Sequence, residues 1–324
     1  MANAPRSFAE QMELQELGNN EYESLHHPER VGNAANIAYG GFALGTAVKA
    51  VALSVPDGYF LYTIMGSYLG PALTDRPLRA SVKVIRQTRT FATRQVEVSQ
   101  KQDDGTFRAC LLAIADFHVK EPALLEYSAP PSRKYSGPNG LLDVSGRRAE
   151  MVEEGKISQK VAGLHMQTFG VLDRFFETRY CPEGIFYHKL TGIAKKLPTP
   201  QDDLPLTQRS TGDYIRPLHP LGTYPNQLCN LSFFMDGAIS FSPLVFNHMF
   251  LDDTAACSSL DFALRVFQSE LKMEEWHLRE MITHVGGEGR SYSEAKVWNE
   301  EGKCVASMTQ QSINRKKVED KGKL

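Results

Sequence analysis

Lys303-Cys304-Val305-Ala306-Ser307-Met308-Thr309-Gln310-Gln311-Ser312-Ile313 alternates small and apolar residues with polar ones, the period of a half-buried strand. Asn299-Glu300-Glu301-Gly302 precedes it as a turn, and Ser291-Tyr292-Ser293-Glu294-Ala295-Lys296-Val297-Trp298 is the strand that this turn reverses. The same plan stands earlier in the chain. Residues 91–100 alternate through Arg94, Val96 and Val98, Gln102-Asp103-Asp104-Gly105 is a turn, and residues 107–118 form a nearly continuous apolar run. That run predicts a strand buried on both faces. Phe91 matches Tyr292 and Val96 matches Val297 at an offset of 201. Gly105, Ala109 and Leu111 match Gly302, Ala306 and Met308 at 197, so the first hairpin is read as four residues longer. Gly41 and Gly237, read as helix entrances, differ by 196. Three anchors in one order at nearly one offset predict an internal duplication.

Working outward, residues 1–30 are polar and acidic, which predicts a loosely packed arm or a short capping helix. Residues 39–51 start with Gly40-Gly41 and carry apolar residues at 44, 47, 48 and 51, the spacing of a helix packed on a sheet. Strand material follows at 58–67 and 78–87. Residues 119–145 hold Pro122, Pro130, Pro131 and Pro138 and read as the connection between halves. Helix signals return over 147–177. Residues 184–188 and 213–216 read as short strands, with a Pro/Asp-rich loop over 197–206 between them. Phe233-Phe234-Met235-Asp236-Gly237-Ala238-Ile239 reads as the lead into a second helix, residues 260–268 as a strand, and Gly286-Gly287-Glu288-Gly289 as a hairpin turn rather than a phosphate loop. The pattern gives an α+β class with two antiparallel halves. The expected divisions are an arm to 30, a first domain over 31–118, a linker and the start of a connecting helix over 119–159, a second domain over 160–315, and a tail over 316–324.

The chain has 324 residues, 36 Lys+Arg against 38 Asp+Glu, and a net charge of -2, which leaves no electrostatic case for nucleic acid or an anionic membrane. With 42% apolar and 23% charged residues it is not a disordered chain. No apolar run approaches the roughly 18 residues of a membrane span, and the N-terminus lacks a signal-peptide core. The five cysteines are dispersed without a CxxC or Cys/His spacing, which predicts reduced thiols in an intracellular compartment and no metal site. Nothing in the pattern asks for a cofactor, and assembly into a homo-oligomer is left open.

A duplication makes its asymmetries informative. Where the first half has Gly40-Gly41, the second has Asp236-Gly237, and where the first half's last strand has Ala113, the second has Gln310. A buried carboxylate or amide is costly unless paired, so the polar member of each pair needs a reason. Asp236 alone also reads as a helix N-cap, and Ser259 alone as a strand hydroxyl. Gln310 beside Gln311 is ambiguous until the alternation Ala306, Met308, Gln310 selects Gln310 as the inward residue. The scattered histidines have no partner spacing.

These residues carry a resemblance. The second half resembles the C-terminal domain of the type II acyl-CoA thioesterases, which have a double hotdog fold; the resemblance implies two antiparallel sheets each wrapped around a central helix. Phe234-Met235-Asp236-Gly237 is similar to the family's aspartate segment, Ser259-Leu260-Asp261-Phe262 to its Ser/Thr-x-Asp-His, and Val305-Ala306-Ser307-Met308-Thr309-Gln310 to its Val-Ala-Ser-x-x-Gln. In the first half Tyr39-Gly40-Gly41 and the pattern Arg86, Arg89, Phe91, Arg94 resemble family segments. The resemblance implies hydrolysis of an acyl-CoA to free acid and CoA by a water that Asp236, Ser259 and Gln310 hold, with backbone N–H groups at a helix start by Gly237 meeting the oxyanion. Gly40, Gly41 and the three arginines are candidate contacts for the acyl-CoA substrate. Phe42, the stretch from Tyr62 to Tyr68, and Phe262 depart from the family pattern. Two other readings keep the fold: an acyl-thioester hydratase or dehydratase, and a non-catalytic acyl-CoA-binding protein. The terminal Gly322-Lys323-Leu324 loosely fits a peroxisomal address, with the cytosol as the alternative.

Overall fold

The computed structural model describes residues 7–32 and 35–317; the terminal Gly322-Lys323-Leu324 lies outside them. The first half holds α1 (Phe8–Gln11), β1 (Leu14–Gly18), β2 (Glu21–Ser24), α2 (Gly40–Leu53), β3 (Tyr59–Tyr68), β4 (Arg79–Gln87), β5 (Phe91–Lys101) and β6 (Phe107–Val119). The second half holds α3 (Val144–Glu153), α4 (Gln159–Phe169), β7 (Phe176–Tyr180), α5 (Ile185–Lys189), β8 (Ser210–Pro217), α6 (Tyr224–Met235), α7 (Ser242–Phe246), β9 (Thr254–Ser259), β10 (Asp261–Val266), β11 (His277–Gly287), β12 (Arg290–Trp298) and β13 (Cys304–Lys316). The strands run β1-β2-β4-β5-β6-β3-β10-β13-β12-β11-β8-β7, with β9 beside β13. The order reads as two mirrored four-strand cores, β4-β5-β6-β3 and β10-β13-β12-β11, joined where β3 pairs antiparallel with β10. The two expected sheets are thus one continuous sheet, and each half covers what would be the other's open edge. No helix among the described residues is long and apolar enough to cross a membrane.

The helices α2 and α6 fill the sheet's concave side. α2 is buried from Gly41 to Ala52, because its small residues let both the sheet and α6 approach. The Phe42 and Phe233 rings meet at 5.0 Å, and a Cβ on Gly45 would stand 3.1 Å from the Cys229 sulfur. Residue numbers rise along α2 as they fall along the facing part of α6, so the helices run antiparallel.

Several expectations are corrected. The N-terminal segment is not a loose arm: Phe8, Met12 and Tyr22 are buried, and Lys49 donates to the Met12 carbonyl at 2.8 Å. β6 is buried on one face only, with Phe107, Leu112 and Ile114 exposed. The two hairpins are equal, since Lys101 pairs with Phe107 and Trp298 with Cys304. One offset of 197 therefore runs through both strands, and the matches of Phe91 with Tyr292 and Val96 with Val297 were four residues out of register. Residues 185–189 form a helical turn where a strand was expected over 184–188; so short a segment has no periodicity to separate the two. The second central helix lies before Asp236, not after it. Pro225 starts it, being compatible with the first helical turn, and Ala238, at φ 72°, turns the chain away after it ends. The anchor pairing Gly41 with Gly237 fails with it.

Candidate active site

Asp236 is the C-cap of α6 and is buried. The antiparallel packing sets it against the start of α2. A Cβ on Gly40 would stand 3.0 Å from Asp236 Oδ2 and 3.2 Å from the Tyr68 ring, so only glycine leaves room there. Tyr39, the N-cap of α2, makes no side-chain cap bond. Its hydroxyl instead donates to the Phe233 carbonyl at 2.6 Å, tying the two helix ends together. The first N–H groups of α2 have no partner within the helix, so they present positive partial charge beside the carboxylate.

Asp236 Oδ1 accepts from Gln310 Nε2 at 2.5 Å and from the Tyr68 hydroxyl at 2.9 Å. Gln310 Oε1 accepts from the Ser259 hydroxyl at 3.0 Å. A chain thus runs from hydroxyl to amide to carboxylate. Gln310 is fully buried on β13, while Gln311 faces outward and donates to Asp261. Burial pushes the Asp236 carboxyl up to about 6, against the pull of the Gln310 and Tyr68 hydrogen bonds. Burial, then the Asp236 charge, pushes Tyr39 and Tyr68 well above the usual phenol range, so both stay protonated donors at neutral pH.

The helix end that carries Asp236 is braced from below. Arg279 Nη1 donates to the Phe234 carbonyl at 2.5 Å and the Gly237 carbonyl at 2.9 Å. Its other nitrogens grip both oxygens of buried Asp213 at 3.0 and 2.7 Å. A bidentate pair of this kind fixes direction as well as charge.

Asp236, Ser259, Gly40, Tyr39 and Tyr68 line a cleft of about 1620 Å³. Phe169, Phe186, Phe241, Phe250 and Ile193 form an apolar part of its wall. A volume of that size exceeds a drug-sized pocket and suits a long ligand.

Other expected site residues lie elsewhere or act otherwise. Gly237 is not at a helix start; its N–H donates to the Phe234 carbonyl at 3.0 Å and its own carbonyl is held by Arg279, so it has no free N–H to offer an oxyanion. Gly41 packs under the Tyr39 ring. Arg86, Arg89 and Arg94 do not line the cleft. Arg94 is buried, its guanidinium spent on the Arg86, Thr93 and Ser54 carbonyls and on Gln87. Arg86 pairs with Asp116 and covers the Phe91 ring. Arg89 is exposed in the β4–β5 turn. A strand arginine followed by a turn that needs its carbonyls tied is a structural clamp, which the spacing alone did not distinguish from a phosphate grip.

Sequence reasoning missed Tyr39, Tyr68, Asp213 and Arg279. Tyr68 lay in a stretch read only as a departure. The structure joins two of those departures: the Phe262 ring packs 5.6 Å from the Tyr68 ring. Asp213 and Arg279 come from strands more than 60 residues apart, and only their pairing in register exposes the contact.

Comparisons with known proteins give the family and the fold. A model of the acyl-CoA thioesterase N-terminal domain matches residues 27–118, and one of the C-terminal domain matches residues 166–313. Among solved structures, an acyl-CoA thioesterase II, TesB2, from Mycobacterium marinum superimposes with a TM-score of 0.67 at 18% identity, covering 97% of this chain and 98% of that one. A tesB protein from Mycobacterium avium subs paratuberculosis gives 0.66 at 14%, covering 94% and 96%. A hot dog fold protein of unknown function from Alicyclobacillus acidocaldarius gives 0.68 at 14%, covering 97% and 100%. A search of curated protein sequences finds no match. At these identities the superpositions establish the double hotdog fold.

Proposed function

The chain belongs to the acyl-CoA thioesterase family, a family of thioester hydrolases, and we propose that it cleaves its acyl-CoA with a water activated by Asp236 and oriented by Ser259 and Gln310. The observation that carries this reading is the hydrogen-bonded chain Ser259–Gln310–Asp236, whose two ends line the cleft with Gln310 buried behind them. A carboxyl held near 6 is mostly ionised at neutral pH yet basic enough to take a proton. The water oxygen attacks the thioester carbonyl carbon while its proton passes to Asp236. The oxyanion forms by the N–H groups at the start of α2, where Gly40 allows close approach. The tetrahedral intermediate collapses, the C–S bond breaks, and the CoA thiolate leaves and recovers the proton. No covalent enzyme intermediate is needed. The Phe169, Phe186, Phe241 and Phe250 wall receives the acyl chain.

Release of free thiol from a panel of acyl-CoAs of increasing length tests the reading. Turnover that peaks at one chain length supports it, and absence of thiol release from every member of the panel would refute it. The compartment is a separate question. A fluorescent protein carrying the last dozen residues should become punctate through Gly322-Lys323-Leu324 and diffuse when Leu324 is deleted; a diffuse signal from the intact tail leaves the cytosol.

A further inference from the structure

The cleft wall carries a second polar cluster that the hydrolytic chemistry does not use. Tyr180 on β7 stands opposite Asp213 on β8, and Asp213 opposite Arg279 on β11. The three side chains form one row across neighbouring strands and all line the cleft. Strands lie about 4.8 Å apart, so the row leads roughly 10 Å away from the Arg279 position that braces the Asp236 helix end. In the sheet order, Tyr180 is four strands from Gln310. The row therefore reaches the part of the cleft remote from the thioester.

At its far end the donors outnumber the acceptors. Arg148 Nη1 lies 3.0 Å from His165 Nδ1. A guanidinium only donates, so Nδ1 accepts and Nε2 carries the hydrogen. That hydrogen points to Thr191 Oγ1 at 3.3 Å. Thr191 Oγ1 also bonds to the Tyr180 hydroxyl. Whichever of these two hydroxyls donates to the other, the second hydroxyl hydrogen has no acceptor among the described residues. Both residues are buried and line the cleft. Burial holds His165 neutral, its imidazole pushed down to about 3, which keeps this count at physiological pH.

A second observation is independent of the count. Thr191 sits at φ 57°, a left-handed conformation that a β-branched residue avoids, just after Leu190 at φ 45°. Backbone strain of that kind persists only where the surroundings enforce it, and it concentrates at ligand sites. The strained turn is what aims the Thr191 hydroxyl at Tyr180 and His165.

The charges in this wall are already matched. Arg279 is paired with Asp213, and Arg148 stands 3.6 Å from Asp173. The cluster offers one neutral donor and no spare positive charge, so an uncharged oxygen fits it and a carboxylate does not.

We propose that this cluster makes the enzyme selective for acyl-CoAs whose chain carries a neutral oxygen, a hydroxyl or a ketone, remote from the thioester, with the Tyr180–Thr191 pair donating to that oxygen. The inference rests on the thioesterase reading for its substrate class. It does not depend on which residue activates the water.

The test compares three acyl-CoAs of equal chain length: unsubstituted, distally hydroxylated or oxo-substituted, and ω-carboxylated. The full-length enzyme should prefer the hydroxy or oxo chain over the unsubstituted one by about tenfold in kcat/KM, because a buried donor left unpaired penalises the plain chain. The ω-carboxyl chain should gain no such preference. The double change Tyr180→Phe with Thr191→Val removes both hydroxyls and should bring the ratio toward one, whereas either change alone leaves one hydroxyl hydrogen without an acceptor; Thr191→Ser should keep the ratio. If that double variant does not fold, Tyr180→Phe with Thr191→Ala decides. Binding of the same CoA esters to Asp236→Asn by calorimetry reads the preference without turnover. Selective binding with no hydrolysis by the wild type would sink the thioesterase reading and leave this one standing. Hydrolysis of the plain and oxygenated chains at equal kcat/KM, or a ratio unmoved when both hydroxyls are removed, would overturn the selectivity and leave the thioesterase reading intact.

Discussion

Ala113 and Gln310 occupy equivalent places in β6 and β13 once the hairpins are aligned at the single offset of 197. Ala113 stands between Val96 and Gly66, in a wall that needs only packing. Gln310 stands opposite Ser293 and turns its amide to Asp236 and Ser259. The helices differ in the same sense. α2 presents its N-terminus, two glycines and uncommitted N–H groups; α6 presents its C-terminus and a carboxylate. One half supplies backbone, space and the tyrosine donors, and the other supplies the groups that titrate or orient. Antiparallel packing also sets the end of α2 toward the start of α6, but the C-cap there is Ser54 where α6 has Asp236, so the carboxylate stands at one of the two helix ends.

This division can be broken at its titrating end first. Asp236→Asn keeps the shape but cannot take the water's proton, so kcat should fall by about a thousandfold, or about 4 kcal/mol of transition-state stabilisation. The same variant should be more stable than the wild type at neutral pH. The native state binds the Asp236 proton more tightly than the unfolded chain, with a pKa of about 6 against 3.8, so the wild type loses stability as pH rises from about 4 to 6. The neutral amide removes that loss, up to about 3 kcal/mol. Melting temperatures should therefore coincide below pH 4, separate as pH rises to 6 and stay apart above it. Equal melting curves at pH 7.5 would mean that the carboxyl is not desolvated as described.

Gln310→Ala should lower kcat about a hundredfold, and Gln311→Ala less than twofold, because one faces Asp236 and the other faces outward. Matching losses would break the assignment of β13's inner face.

The first half's contribution should read out more gently. Gly40→Ala puts a methyl 3.0 Å from the carboxylate and 3.2 Å from Tyr68, and should cost about tenfold in kcat/KM with little change in melting temperature. Tyr68→Phe removes a hydrogen bond that holds the Asp236 pKa down. The acid limb of the kcat/KM profile should then move upward from about pH 6, with a loss of a few fold at pH 7 that shrinks at pH 8. An unmoved limb would show that Tyr68 does not act on the carboxylate.

Much of this site was legible in the chain because strands write their inner face every second residue. Gln310, not Gln311, followed from the alternation with Ala306 and Met308, and the two similar hairpins announced the repeat. Asp236 stood out as a carboxylate in an apolar run, although the helix it belongs to was placed on the wrong side. The local pattern was symmetrical there: Gly40-Gly41 opens a helix and Asp236-Gly237 closes one, and both read as small residues beside apolar ones. Arg94 and Arg86 failed for a related reason, since a clamp and a phosphate ligand have the same spacing.

The sequence by itself determined which face of β13 turns inward, and with it the repeated hairpin and the buried Asp236 and Gln310, whereas Ser259 came only from the family resemblance. The former are consequences of a period of two and of the cost of burying polar atoms, both local. Only the tertiary structure decided that α2 starts where α6 ends, that Gly40 borders the Asp236 carboxylate, that Tyr68 holds the carboxylate, and that Tyr180, Asp213 and Arg279 form a row in the cleft. These contacts join residues 33 to 196 positions apart, and nothing in the chain between them encodes their meeting. They exist because two helices of small and aromatic residues pack antiparallel inside one continuous sheet, which fixes at once every distance across the site.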